Sequence, residues 1–337
     1  MNERAQYTKI GYVKKYNAEK NGKIGNVEKD NRTVKQPESV FHLYMLLFFG
    51  GSHVIYINLL GIMHIMIGKR FSIGQEIRRG AFGVIYQGTY EKTGESVAIK
   101  MDLSRPSTLK HETRILQYLF MEGVKKVPHI YWFGIYEENP CVVMTLYECS
   151  LYDYRQRGPM VDSERLSKTA WLLLDIFENI HKHGVLHRDV KPHNFMIKGG
   201  ELYLIDFGLA TFYWNDQGEH CPDTGTTTMI GSPFFASLRI HEGRRYSRRD
   251  DLISLGYVLL YMSGFTWQLP NIAAEGSPMD LEYPTNVLLR QQKECIASFP
   301  DPSLKYYFEY IYGVGYEEAP KYGPMKALFV SSTTQLF

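Results

Sequence analysis

The amino-acid sequence predicts an α+β fold, in which a strand-rich first part is followed by a mainly helical remainder. After Lys69, apolar and polar residues alternate over short runs, which is the pattern of half-buried strands. Two later stretches, beginning near Thr108 and Ser163, carry apolar residues at the spacing of an amphipathic helix. Hydrophobic residues make up 44% of the chain and aromatic residues 14%, so we expect a folded globular protein.

Charge and cysteine content exclude several classes of protein. The 38 Lys and Arg residues are nearly balanced by 36 Asp and Glu residues, so the chain is not a polycation, and no nucleic-acid partner is expected. The cysteines lie far apart, which argues against a zinc site and against a disulfide framework. They are Cys141, Cys149, Cys221 and Cys295. A reducing compartment follows, and we expect a cytoplasmic or nuclear protein.

The chain divides into three regions. Residues 1–38 hold nine Lys or Arg and five Asp or Glu with little hydrophobic periodicity, so we expect a polar, basic and disordered tail. Residues 39–67 contain no charged side chain and are long enough for the roughly 20 apolar residues of a transmembrane helix. Alternatively, residues 1–65 are not translated and the chain starts at Met66, so a membrane partner is expected only if 39–67 is made and inserted. Residues 69–337 form the predicted folded domain.

Two features of the predicted strands suggest a phosphate site. Strands are predicted over 71–77, 84–88 and 96–100. Gly80 and Gly83 lie in the first turn, where a backbone without Cβ atoms can approach phosphate oxygens, although such a pair is more often a plain hairpin turn. Lys100 shares a strand face with Ala98 and points towards that turn, the alternative being a surface lysine at a strand edge.

Glu112 decides between these interpretations of Lys100. It falls on the apolar side of the helix predicted from Thr108, which ends before Gly123. A carboxylate facing the core costs several kcal/mol unless a cation pairs with it, and Lys100 is the nearest candidate. The alternative is a helix rotated so that Glu112 faces solvent. A second helix is predicted from Asp162 or Ser163 to Gly184.

Two further motifs carry the chemistry of phosphoryl transfer. HRDVKPHN places Asp189, Lys191 and Asn194 in one loop, where they offer a carboxylate for a hydroxyl proton, a cation for a phosphoryl group and an amide oxygen for Mg²⁺. In LYLIDFGLA, Asp206 ends an apolar strand and can chelate Mg²⁺ together with Asn194. A polar loop of chance composition and an ordinary Asp-x-Gly turn are the bland alternatives.

In this order and at these spacings, the motifs resemble the signature set of eukaryotic protein kinases. The resemblance covers 69–337, and residues 231–262 are similar to casein kinase I in particular. It implies a bilobal protein kinase fold: an N-lobe over 69–147 with a small antiparallel sheet and one main helix, and a larger, mainly helical C-lobe over 148–337. It also implies ATP and Mg²⁺ as cofactors, protein substrates and a monomeric Ser/Thr kinase.

Residue roles follow from the same resemblance. Lys100 would hold the α- and β-phosphates and pair with Glu112, while Asp189 would be the catalytic base. Lys191 would contact the γ-phosphate, and Asn194 and Asp206 would bind Mg²⁺. The other implied residues are the helix aspartate Asp251 that supports the catalytic loop, the gatekeeper Met144, the hinge 145–147 with Tyr147, and the ATP-binding residues Ile77, Gly80, Gly83, Val84 and Ala98.

The chain also departs from the casein kinase I pattern. Arg78 replaces the first glycine of the glycine-rich loop, and His193 replaces an aspartate before Asn194. The basic residues with which the family reads acidic or phosphate-primed substrates are missing from 211–212 and 220–230. We hypothesise that a group of three arginines replaces them, the alternative being a solvated cluster. These arginines are Arg239, Arg244 and Arg245.

Two other functions remain open from the sequence. A catalytically weak pseudokinase scaffold would be expected to lose the lysine, the base or the metal-binding aspartate, and none of these is lost. A small-molecule phosphotransferase would share those groups but would not be expected to carry the segment 231–251. Arg188 and the threonines near 224–228 could support an activating phosphorylation, but the resemblance implies an enzyme that is active without it.

Overall fold

The computed structural model describes most of the predicted folded domain. The described residues belong to one compact unit, Tyr44–Phe337. The polar tail predicted over 1–38 lies outside the described residues, as do the threonines at 226–228. The described ranges are 45–49, 53–57, 63–80, 83–103, 108–160, 162–225, 229–265, 290, 293–294 and 301–329.

The first half of the unit is an antiparallel sheet with the strand order β1-β2-β3-β4-β5-β6-β8-β7. Strands form here because β-branched and aromatic residues alternate along short runs that turns interrupt. The helix α1, Leu109–Met121, is inserted between β6 and β7. The strands are β1 (Met45–Phe49), β2 (His53–Ile57), β3 (Met63–Ile67), β4 (Phe71–Gly80), β5 (Gly83–Tyr90), β6 (Glu95–Asp102), β7 (Ile130–Tyr136) and β8 (Asn139–Thr145).

The hydrophobic segment 39–67 differs from the transmembrane helix that hydropathy allows. Its described parts are β1, β2 and β3, which extend the sheet by antiparallel pairing. Gly50 and Gly51 stand between β1 and β2, where a spanning helix would have to continue, and both residues have low helix propensity. Among the residues that the structure describes, no helix is long and apolar enough to cross a membrane.

The helix α1 joins the two halves of the core. Ile115, Leu116 and Leu119 are buried and belong to the large apolar cluster of the helical half. The prediction from the apolar side of this helix is confirmed, and its end agrees with Gly123, which has a φ of 82°. Phe207 is fully buried in the same cluster and connects α1 to the helical half.

The second half is built on helices around the buried helix α5. The predicted helix from Asp162 is α3, whose first amide groups are capped by the Asp162 side chain. Two small sheets, β10-β13 and β12-β11-β9, lie next to the loops of the site. The elements are β9 (Cys149–Ser150), α2 (Leu151–Gln156), α3 (Ser163–Lys182), β10 (Val185–Leu186), β11 (Phe195–Lys198), β12 (Glu201–Leu204), β13 (Thr211–Phe212), α4 (Leu238–His241), α5 (Arg248–Met262), α6 (Pro302–Gly313) and α7 (Tyr322–Ala327).

Candidate active site

Lys100 and Glu112 form an ion pair between the sheet and α1. Lys100 lies on β6, and its Nζ is 2.7 Å from Glu112 Oε2. Only 3% of the Glu112 side chain is exposed, so the alternative in which this carboxylate faces solvent is wrong. Burial raises the pKa of Glu112, and Lys100 opposes that shift. Burial also acts to lower the pKa of Lys100, but the Glu112 and Asp206 carboxylates raise it overall, so the amine stays charged.

Asp206 brings a second carboxylate to Lys100. It follows β12 with a φ of 65°, a left-handed conformation that aspartate adopts more readily than most residues. Its Oδ1 lies 3.7 Å from Lys100 Nζ, and 43% of its side chain is exposed. Burial acts to raise its pKa, but Lys100 and Lys191 lower it overall, so an anion is favoured here. Phe207, the next residue, is fully buried in the apolar cluster.

Three side-chain hydrogen bonds hold the Asp189 carboxylate, two from its own loop 187–194 and one from Ser232. Lys191 Nζ donates to Asp189 Oδ2 over 2.7 Å, and Asn194 Nδ2 donates to the same oxygen over 3.1 Å. The hydroxyl of Ser232, from a distant part of the chain, donates to Asp189 Oδ1 over 2.8 Å. The carboxylate is therefore fixed in orientation, and one of its oxygens already accepts from an alcohol.

Asp251 holds the backbone of the same loop in place. It lies on α5 with none of its side chain exposed, and it accepts from the backbone N–H groups of His187 and Arg188 over 2.8 and 2.9 Å. Arg188 has a φ of 64°, so the carboxylate stabilises a backbone conformation that is otherwise unfavourable. His181 Nε2 lies 3.0 Å from Asp251, and its Nδ1 contacts the hydroxyl of Tyr322 on α7.

A comparison with protein families decides what this arrangement is. The family model described as "Protein kinase domain" matches residues 71–282, which is more than half of the chain. The chain belongs to the protein kinase family. Strands β4 to β8 with α1, and the helical part around α5, are the N-lobe and C-lobe of the bilobal kinase fold, and the predicted fold class is confirmed.

The residues of this kinase fit a magnesium ion at Asn194 and Asp206. The N–H of Ile205 donates to the carbonyl of Asn194 over 2.9 Å, so the backbone brings the two motifs together. Asn194 uses its NH₂ group on Asp189, which leaves its side-chain oxygen as a ligand. Mg²⁺ takes oxygen ligands and usually only one or two from the protein, the others being water and substrate phosphates. These two oxygens satisfy that requirement.

The glycine turn of the kinase is a hairpin between β4 and β5, in which Gly80 pairs with Gly83. A Cβ atom on Gly83 would lie 2.1 Å from the carbonyl oxygen of Met101, so glycine is required here for packing against β6. A Cβ atom on Gly80 would meet nothing within 4 Å. Of the other predicted ATP contacts on these strands, Val84 is buried, whereas Ile77 keeps 49% of its surface exposed.

The residues predicted as gatekeeper and hinge lie on and after β8. Met144 pairs with Ala98 of β6 and packs with Leu109 at the start of α1, so it lies beside the Lys100 strand. Tyr147 instead packs its ring on Tyr203, with centroids 5.1 Å apart. Among the residues that the structure describes, its buried hydroxyl has no hydrogen-bond partner, and burial raises its pKa. A direct contact of Tyr147 with adenine therefore stays a prediction.

The structure does not bring the three predicted substrate arginines together. Arg239 turns into the C-lobe, where its Nη2 donates to the carbonyl of Tyr312 over 2.9 Å and its guanidinium lies over that ring. Arg245 Nη1 instead contacts the carbonyl of Pro222 and the hydroxyl of Thr224, at 3.3 and 3.4 Å. Arg244 is exposed. Arg239 is therefore occupied by packing that its position in the sequence did not indicate.

Three residues of the site were not found from the sequence. Ser232 lies in the segment that resembles casein kinase I, but no spacing pattern indicated its contact with Asp189. His181 and Tyr322 continue the support of the catalytic loop behind Asp251. His181 occurs on the apolar side of α3, which is the one signal that could have identified a buried histidine.

Proposed function

We propose that the protein is an active serine/threonine kinase of the casein kinase I type, which transfers the γ-phosphate of ATP to serine or threonine in proteins. The observation that carries this proposal is the set of hydrogen bonds made by the Asp189 carboxylate. Its Oδ2 accepts from Lys191 and Asn194, and its Oδ1 accepts from a serine hydroxyl at 2.8 Å. A substrate hydroxyl needs the same approach to the same carboxylate.

The mechanism follows from these contacts. Asp189 orients the attacking hydroxyl and accepts its proton, and Asp251 keeps the Asp189 backbone in place through His187 and Arg188. Lys191 places a cation beside the reacting oxygen, where negative charge develops on the phosphoryl group. Lys100, oriented by Glu112, holds the other phosphates. Bound Mg²⁺ would neutralise phosphate charge at Asn194 and Asp206.

The casein kinase I type and its preference for acidic or phosphate-primed sites rest on the sequence 231–262. Because Arg239 is engaged with Tyr312, the anion site would be formed by Arg244 and Arg245. Guanidinium groups bind carboxylate and phosphate through paired hydrogen bonds, so either residue is suited to this role. Removing both should lower the preference for an acidic peptide over its neutral analogue, and equal preference in both enzymes would refute the anion site.

The function is tested by incubating the purified full chain with labelled ATP and casein, beside Asp206→Ala and Asp216→Ala. Asp216 is exposed and serves as the matched control. We expect phosphoserine and phosphothreonine from the wild type and from the control, and none from Asp206→Ala. ATP binding without any transfer by the wild type would instead support the pseudokinase scaffold. Phosphotyrosine as the main product would refute serine/threonine specificity.

A further inference from the structure

The junction between α2 and α3 contains a cavity of about 460 Å³ that the proposed chemistry does not use. Its lining comes from the end of α2, the turn that follows and the first turn of α3. We call this feature the α2–α3 cavity. Binding sites for small molecules usually have volumes of about 300–1,000 Å³, so the cavity is large enough for such a ligand. The lining residues that matter here are Tyr154, Arg157, Gly158, Met160, Asp162 and Arg165.

The backbone that forms the α2–α3 cavity is fixed by contacts within the C-lobe. The N–H of Met160 donates to the carbonyl of Met262 at the end of α5 over 2.8 Å, and the Met160 side chain is buried. Gly158 has a φ of 139°, and a Cβ atom there would meet nothing within 4 Å, so the space beside this turn is open. The Asp162 side chain accepts from two N–H groups in the first turn of α3. The walls of the cavity therefore keep their places without a ligand.

Two arginines line the α2–α3 cavity without a carboxylate partner. Within the part of the chain that the structure describes, the Arg157 guanidinium makes no hydrogen bond and no ion pair. Arg165 Nη1 donates to the hydroxyl of Tyr154 over 2.8 Å, and this neutral group orients the guanidinium without balancing its charge. Asp162 is the one carboxylate among the described lining residues, so two arginines and one aspartate give the lining a net charge of +1.

The lining favours an organic anion with a single charge. Guanidinium groups bind carboxylates through paired hydrogen bonds, and one carboxylate would balance the net charge of the lining, whereas a phosphate dianion would exceed it. A bare anion would leave most of the volume empty. The half-buried ring of Tyr154 and the exposed ring of Pro159 offer apolar surface to the rest of a larger ligand. The bland alternative is a pair of solvated arginines beside an empty depression, since Arg157 and Arg165 are both exposed.

We propose that the α2–α3 cavity binds a small organic carboxylate. The carboxylate group lies between Arg157 and Arg165, and an aromatic or branched aliphatic body contacts the ring of Tyr154. This site goes beyond the proposed kinase function and does not depend on it. The described lining contains none of the residues assigned to ATP, Mg²⁺ or the catalytic loop, so the carboxylate and ATP should bind at the same time.

The experiment measures binding to the full chain by isothermal titration calorimetry, with naphthoate, the neutral naphthamide of nearly the same shape, and naphthyl phosphate as probes. We expect the wild type to bind naphthoate at least about tenfold more tightly than naphthamide, because hydrogen bonds to a charged group contribute about that much. The same titrations are made with Arg157→Gln and Arg157→Gln/Arg165→Gln. Arg70→Gln/Arg114→Gln is the matched control, since it removes the same charge from exposed arginines outside the cavity.

Arg157→Gln should weaken the binding of naphthoate about tenfold, and the double variant should bind naphthoate no better than naphthamide. The control variant and saturating ATP should leave the affinity unchanged. Equal affinity of the wild type for naphthoate and naphthamide, unchanged affinity in the double variant, or competition by ATP would each overturn the site. Tighter binding of naphthyl phosphate than of naphthoate would overturn the choice of a carboxylate. None of these outcomes bears on the kinase function, which the transfer of phosphate to casein tests separately.

Discussion

Each half of the active site contains a lysine–carboxylate ion pair, but the two pairs are held in place differently. Lys100–Glu112 and Lys191–Asp189 both have a nitrogen–oxygen distance of 2.7 Å. The first pair joins β6 to α1, whereas the second lies within one loop whose backbone is bonded to Asp251. The catalytic-loop pair therefore keeps its geometry as long as the loop is anchored. The N-lobe pair depends on the packing of a whole helix.

This difference indicates which half of the active site can change its geometry. A small displacement of α1 would separate Glu112 from Lys100, and Lys100 would then turn to Asp206, which lies 3.7 Å away. The catalytic loop has no comparable second arrangement, since the two backbone N–H groups bound by Asp251 would lose their partner. We therefore expect substitutions in the loop to abolish activity and substitutions in the N-lobe pair to reduce it.

The largest effect is expected for Asp189→Asn. The amide cannot accept the hydroxyl proton, so kcat should fall about 10²- to 10⁴-fold while the KM for ATP stays within about twofold. Steady-state kinetics with casein measure both values, and Asp216→Asn is the exposed control. Wild-type turnover by Asp189→Asn would show that another group accepts the proton.

Asp251→Ala tests the anchor of the loop. Removing a buried carboxylate that holds two amides and His181 should lower the free energy of unfolding by about 3–5 kcal/mol. Activity should also fall where the variant is still folded. The neighbouring Asp250, equally buried but bonded to Ser237 and Ser247, is the matched control. Urea unfolding and kinetics of Asp250→Ala should show lost stability with a much smaller loss of kcat per folded molecule.

Glu112→Gln tests the adjustable half. The neutral amide can still accept from Lys100 but no longer pairs with its charge, and we expect this loss to cost about 1.5–3 kcal/mol, which corresponds to a decrease in kcat/KM of roughly 10- to 100-fold. We expect the KM for ATP to rise. Glu122→Gln, an exposed glutamate at the end of the same helix, should behave as the wild type. If Glu112→Gln lost as much activity as Asp189→Asn, the two halves would not differ as proposed.

Acid should destabilise the C-lobe through partly buried histidines. Burial lowers the pKa values of His193 and His241 to about 4, while unfolded histidine titrates near 6.5. The unfolded state therefore binds more protons between these pH values, so stability is complete above about pH 6.5 and decreases as the pH falls towards 4. The thermal midpoint of wild type should decrease over this range more than that of His193→Asn/His241→Asn. Parallel curves would contradict this assignment.

The smallest effect is expected from removing phosphate. Arg188 Nε donates to the carbonyl of Leu209 over 2.7 Å without any phosphorylated residue, so the loop is already ordered. Phosphatase treatment should leave the rate unchanged within twofold. Thr224, which lies 3.4 Å from Arg245 Nη1, is the one described threonine in 224–228 whose phosphate could alter this result. A tenfold decrease that is absent in Thr224→Ala would show that the enzyme is switched by phosphorylation.

Local patterns predicted the parts of the site that depend on local physics. Glu112 was placed on the apolar side of α1 from residue spacing, and the cost of burying a carboxylate identified Lys100 as its partner. The bounds of α3 followed from the Asp162 cap and from Gly184. The roles of Asp189, Lys191 and Asn194 needed only their order within one loop, and these roles remain a proposal until activity is measured.

Contacts between distant parts of the chain could not be predicted in this way. Hydropathy measured the composition of 39–67 but not its pairing with β4, so a helix and a set of strands were indistinguishable. Arg239 was grouped with its sequence neighbours, although Tyr312 on α6 determines where its side chain lies. The contact of His181 with Tyr322 joins residues that share no local pattern.

The contact between Tyr322 and His181 also sets an order of events during synthesis. His181 supports Asp251, and Asp251 holds the backbone of the catalytic loop, so this support is complete only when α7 has been made. At cellular rates of translation, the interval between the catalytic loop and α7 is on the order of ten seconds. A nascent chain during that interval carries every motif of the active site but not its last support. The catalytic loop therefore gains its last supporting contact only after α7 has been translated.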